Sequence, residues 1–256
     1  MKQRTTTALF LLLFIATSCI DRPKEIRITG RCIPVTAAET EIGADETRNI
    51  IAQARATVDS IKAPIIGYAA KKLELYTPES PLMNFAADAL LATARQHCNE
   101  PIDIAITNKG GLRRNIDAGE ITFGDIYNVF PFDNKLTTLT LDGKQLMSLL
   151  QEIAAADGEP ISGAKLTVAE DKEGKGYRVM SATVGGKPIE PNKIYRIATS
   201  DYLSQGNDGL TTLAESNDKR IYTVTIRDLM IEYIESLNKC NIALDASKDG
   251  RIKVEK

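Results

Sequence analysis

The residues best equipped for chemistry fall in three short stretches. Thr107-Asn108-Lys109-Gly110-Gly111-Leu112-Arg113-Arg114 joins an amide, an ammonium, two adjacent glycines and two guanidinium groups. Arg113 and Arg114 offer planar donor forks that match carboxylate or phosphate. Gly110 and Gly111 permit positive φ and a close approach of backbone to a ligand. The other stretches, Phe130-Pro131-Phe132-Asp133-Asn134 and Asp201 to Gly209, each carry an exposed-looking aromatic, Phe132 and Tyr202, in a chain that is only 5% aromatic. Rings from separate loops can enclose a flat group, and stacking a nucleobase on an aromatic contributes about 1–3 kcal/mol. Asp208, between glycines, suits hydrogen bonds to sugar hydroxyls. Each stretch has a plainer reading, as a Gly-Gly turn with solvated arginines or as a ring plugging the core beneath its loop. Three such loops in one chain favour the functional reading.

Composition narrows the chemistry further. Among 256 residues there is one histidine, His97, and no tryptophan. A hydrolytic two-metal site draws on several histidines beside Asp and Asn, so no metal site and no catalytic residue is assigned to this chain. A Ser-His-Asp or Cys-His site would need His97, whose place at the end of an apolar helical run marks it as a helix C-terminal residue. The formal charge of -2 leaves no basic surface for nucleic acid.

The first residues address the chain to a membrane. Lys2 and Arg4 precede an apolar run from Ala8 to Ala16, too short for a spanning helix, and Thr17-Ser18 leads into Cys19. This resembles a bacterial lipoprotein signal at residues 1–18, with lipid attached to Cys19 and a tether over 19–44. Several acyl chains on one residue give stable anchoring, at the periplasmic face or outer membrane of a bacterial cell envelope. Cys32, Cys98 and Cys240 then allow at most one internal disulfide.

The elements that must position the three loops are read from periodicity. Helices are expected over Asp45–Ile61, from Pro81 with Ser80 as its cap, over Phe123–Val129, Lys144–Ala156 and Val224–Leu237. Strands are expected over Ile65–Leu75, Ile102–Ile106, Lys135–Leu141, Ile161–Ala169, Tyr177–Val184, Lys193–Ser200 and Gly250–Val254, with one more near Glu25–Pro34. Gly185-Gly186 reads as a hairpin turn. Asn84 and Asp88, four apart on one helix, read as a polar, solvated stripe. The pattern predicts an α+β fold, an α/β-type mixed sheet flanked by helices, over residues 45–256. Open sheets of that type place ligands at the C-terminal ends of their strands, which is where Asn108 follows Ile106.

Glu79-Ser80-Pro81-Leu82-Met83-Asn84-Phe85-Ala86-Ala87-Asp88, Asn108-Lys109-Gly110-Gly111-Leu112-Arg113, Pro131-Phe132-Asp133-Asn134 and Gly206-Asn207-Asp208-Gly209, in that order, resemble the C-terminal domain of 5'-nucleotidases. The resemblance implies a nucleoside or nucleotide ligand. Phe132 and Tyr202 would stack the base, Asp208 would bind ribose, Asn108 would contact the nucleoside and Arg113 the phosphate, with Gly110, Gly111, Asn134 and Gly206 completing the motifs. The family often has a further phosphate-binding arginine just before Glu79; here Pro78 stands there, and Lys109 or Arg114 would compensate. Family enzymes also carry a metallophosphoesterase domain with two divalent metals. The resemblance therefore implies half of a split 5'-nucleotidase, inactive alone, completed by a separate metallophosphoesterase chain. The alternatives are a lipid-anchored nucleotide-binding protein without chemistry and an interaction domain that keeps only the fold.

Overall fold

The computed structural model describes residue 30 and residues 44–171 and 176–255. The signal, most of the tether, the strand expected near Glu25–Pro34, Cys19 and Cys32 lie outside the described residues. The chain divides into residues 1–51 and 52–256; the first unit contributes the start of helix α1 (Ala44–Lys62), and the rest concerns the second. The stripe of α1, including Val58 and Ile61, is exposed.

Strand β1 (Ile65–Ala69) leads to helix α2 (Pro81–His97), strand β2 (Ile104–Ile106), strand β3 (Gly119–Thr122) and helix α3 (Phe123–Val129). Strand β4 (Lys135–Asp142), helix α4 (Gly143–Ala155) and strands β5 (Ile161–Ser162), β6 (Ala164–Glu170), β7 (Tyr177–Val184) and β8 (Lys187–Pro188) follow. Strands β9 (Ile194–Ser200) and β10 (Lys219–Thr225), helix α5 (Ile226–Lys239) and strand β11 (Ile252–Glu255) complete the chain. The helices start where side-chain caps allow. Ser80 accepts from the Met83 amide with Pro81 in the first turn, while Thr122–Asp125 and Asp142–Gln145 form capping boxes.

A five-stranded mixed sheet, in the order β10-β4-β9-β2-β5, forms the centre. Strands β2 and β9 run parallel, and every other neighbour is antiparallel. Alternation along these strands feeds two cores. Ala105, Leu136 and Ala198 pack with residues of α2 and α5 such as Phe85, Leu90 and Leu229. Ile104, Ile106, Leu139, Leu141 and Ile197 pack with Leu146, Leu149 and Ile153 of α4. Each fully buried aliphatic side chain contributes about 1.5–3 kcal/mol. A second sheet, β11-β6-β7-β8, and the pair β1-β3 complete the architecture. The fold is the mixed α+β arrangement that the sequence predicts.

Several expected elements need correction. The strand expected over Ile65–Leu75 ends at Ala69, and Leu73 keeps only a bridge to Ile116. The strand expected over Ile161–Ala169 breaks at Gly163, whose φ is +85° and whose Cβ would stand 2.1 Å from the Asp103 carbonyl oxygen. That break passes the chain from the central sheet to the second sheet. Residues 219–225 form the edge strand β10, whose exposed residues hide its pattern, so α5 begins at Ile226 rather than Val224.

Asn84 and Asp88 are not a solvated stripe. Asn84 is buried and donates to Glu79 Oε1 (2.8 Å) and the Ser247 carbonyl (2.9 Å). Asp88 takes a two-pronged bond from Arg251 (2.7 and 2.9 Å) and a third from Ser162 Oγ (2.6 Å). Arg251 also holds Asp249, whose carboxyl is lowered below its ordinary pKa by that bond. The motif from Glu79 to Asp88 thus ties α2 to the segment entering β11. His97 ends α2, as expected, with Nε2 2.7 Å from Glu232.

Candidate functional site

Strand direction brings the three loops together. Because β2 and β9 are parallel, Asn108 after β2 and Tyr202 after β9 leave the same edge of the sheet. Strand β4 is antiparallel to β9, so the residues before it, Phe132 to Asn134, enter at that edge too. The Lys135 amide bonds Asp201 Oδ1 (2.9 Å), and the Asp201 amide bonds the Lys135 carbonyl (2.9 Å), joining the two aromatic loops. By the same logic β10 delivers the start of α5 there, and β5 delivers Glu159 and Pro160.

Phe132 and Tyr202 line one cavity of about 340 Å³ and remain 49% and 37% exposed. Asn108, Gly110, Arg113, Asn134 and Asp208 complete its lining. The rings therefore do not plug the core. Asp208 is organised from two sides: Tyr202 Oη donates to Oδ1 (2.8 Å) and Asn108 Nδ2 to Oδ2 (2.6 Å). The bond to Asp208 raises the Tyr202 phenol above its ordinary pKa, so the hydroxyl stays a donor at neutral pH. A carboxylate accepts about four hydrogen bonds, leaving acceptor capacity for a ligand hydroxyl. Asp208 sits in left-handed backbone (φ +56°), a conformation that Asp tolerates and that recurs at functional sites.

Gly111 has no positive φ, and neither has Gly110, contrary to expectation. Gly111 serves close approach: a Cβ there would stand 2.8 Å from Asn108 Oδ1, whereas at Gly110 the nearest atoms lie at 3.6 and 3.7 Å. Gly206 is absent from the cavity lining and instead ends the turn after Tyr202 with a φ of +85°.

The candidate phosphate-binding residues separate. Lys109 is committed elsewhere, its Nζ held by Glu159 Oε1 (2.8 Å) and the Ala156 and Gly158 carbonyls (2.5 and 2.9 Å). Its backbone N–H also donates to Glu159 Oε2 (2.6 Å). Burial pushes the Glu159 carboxyl above its ordinary pKa, against the lowering effect of the Lys109 bonds. Lys109 is therefore the anchor of its loop, not a free cation. Arg114 faces a neighbouring polar cavity of about 580 Å³ with Lys72, Asp117 and Glu120. Arg113 lines both cavities, and its Nη1 donates to the Gly110 carbonyl (3.2 Å). Among the described residues no cluster of three or more His, Cys, Asp or Glu could hold a metal ion, and no chemical step is assigned to a metal on this chain.

Residues 53–215 match the family model of the 5'-nucleotidase C-terminal domain. The chain belongs to that family. In 5'-nucleotidases this domain is the nucleotide-recognition part, normally paired with a metallophosphoesterase domain. The chain is 29% identical over 224 residues to a trifunctional nucleotide phosphoesterase of Bacillus subtilis, covering 81% of this chain and 15% of that protein. It is 33% identical over 116 residues to a 5'-nucleotidase of Vibrio vulnificus, covering 43% of this chain and 20% of that protein. The structure of a 5'-nucleotidase precursor from Thermus thermophilus superposes with a TM-score of 0.71 at 25% identity, covering 81% of this chain and 42% of that chain. The 5'-nucleotidase C-terminal fold thus accounts for the sheet edge on which these loops meet.

Sequence reasoning missed Glu159 and Arg227. Glu159 precedes the two-residue strand β5, and Arg227 follows the exposed edge strand β10, so no periodicity marks either place. A charged residue that is nearly buried is the signal that finds them (4% and 7% exposed).

Proposed function

We propose that this chain is the recognition half of a split 5'-nucleotidase, holding a nucleoside monophosphate while a separate metallophosphoesterase chain hydrolyses it. The observation that carries the reading is the convergence of Phe132 and Tyr202, from loops far apart in sequence, on one cavity beside the Asp208–Asn108 pair and Arg113. The base lies between the rings, ribose hydroxyls donate to Asp208, and the phosphate meets Arg113 at the rim. Binding fixes the phosphate ester for attack. Activation of water belongs to two divalent metals on the partner chain. Cleavage before Cys19 and its lipidation would hold the assembly at the bacterial envelope, so Cys19→Ser should move the protein from the membrane fraction to the soluble one.

The decisive assay is AMP hydrolysis with Mn²⁺ by this chain alone, by a separately encoded metallophosphoesterase chain alone, and by both. Turnover that needs both, and that falls with Phe132→Ala through a raised KM, supports the proposal. Adenosine binding with no hydrolysis in the mixture would instead make the chain a non-catalytic nucleotide-binding protein.

A further inference from the structure

Phe132 must present a fixed face if it stacks on a base, yet half of it is exposed and residues 131–134 belong to no helix or strand. Its own packing cannot hold it, but Arg227, in the first turn of α5, grips the chain on both sides of it. The Arg227 guanidinium lies over the Tyr127 ring, 3.9 Å from its centroid. Nη1 donates to the Phe130 carbonyl (3.3 Å), and Nη2 donates to Asp133 Oδ1. The neighbouring Ile226 amide bonds the Asn134 carbonyl (2.8 Å). Arg227 and Phe132 also line one narrow cleft, together with Phe130 and Asn134.

Thus two residues at the start of one helix fix Phe130, Asp133 and Asn134 around the ring. We infer that Arg227 is a positioning residue for the aromatic clamp, setting the pose of Phe132 without touching the ligand. The inference rests on the reading that Phe132 stacks on the base. A guanidinium is needed because one planar group must bond in two directions while its face lies on Tyr127; a lysine ammonium is a point charge and cannot do all three.

The test is calorimetric titration of the full chain with adenosine and with ribose 5-phosphate, which has no base. The variants are Arg227→Lys, Asp133→Ala and Phe132→Ala, with each of the first two repeated in the Phe132→Ala background. The Asp133 side chain is 78% exposed, so Asp133→Ala provides a readout even if Arg227→Lys fails to fold. Either variant is expected to weaken adenosine binding by about 3- to 10-fold, the scale of the net contribution of one ordinary hydrogen bond, and to leave ribose 5-phosphate unchanged. The loss should vanish once Phe132 is alanine. Equal weakening of both ligands, an undiminished loss in the Phe132→Ala background, or no loss at all would overturn the positioning role while leaving the stacking reading intact. If Phe132→Ala alone leaves adenosine binding unchanged, the stacking reading fails and takes this inference with it.

Discussion

At the scale of single residues, the site depends on side chains that hold other side chains. Asn108 and Tyr202 fix both oxygens of Asp208, and Gly111 leaves room for the Asn108 amide. Gly111→Ala should push Asn108 away from Asp208 and weaken adenosine binding by about 1–2 kcal/mol, whereas Gly110→Ala should bind nearly as the wild type; paired titrations check the contrast. Lys109 and Glu159 permit a test in pH. Burial raises the Glu159 carboxyl above its ordinary 4.5, so folding favours its protonated form. Its contribution to stability is full below about 4.5 and is lost as pH rises through the raised pKa. Lys109 opposes that shift, and Lys109→Met should enlarge it. Urea unfolding should therefore show a larger destabilisation by Lys109→Met at pH 7, about 3 kcal/mol, than at pH 4. The residue types of the site were legible because Phe132, Tyr202 and Asp208 are unusual in connecting loops. The commitment of Lys109 was not, since its partners lie some 50 positions away and sequence spacing carries no distance.

At the scale of elements, register explains what the residues alone cannot. The parallel pairing of β2 with β9 and the antiparallel pairing of β4 with β9 put three loops on one edge, and β10 adds the start of α5. Long strands and helices such as β4 and α4 were readable from their alternation and their caps. The break at Gly163 and the edge strand β10 were not, because a two-residue strand and an exposed one leave little hydrophobic pattern. The same limit made Asn84 and Asp88 look solvated: they face a segment entering β11, more than 150 residues later. Asp88→Asn removes one of the two carboxylates that pair with the buried Arg251 and leaves Asp249 as the other, so it should destabilise the fold by about 1–2 kcal/mol. Chemical denaturation measures the loss, while the adenosine affinity of the folded variant should stay close to that of the wild type.

At the scale of the whole molecule, the proposal gives recognition to this domain and the chemistry to a separate chain. In the 5'-nucleotidases the nucleotide-recognition domain is normally joined to the metallophosphoesterase domain; here the two are proposed to meet as separate chains. Cys98 and Cys240 are free, so no disulfide between them braces the recognition domain. The central claim, that two rings hold a base, is met most directly by calorimetric titration of adenosine into the wild type, Phe132→Ala and Tyr202→Ala. The account predicts measurable binding by the wild type and a loss of about 1–3 kcal/mol for each variant. Equal affinity in all three proteins would contradict it.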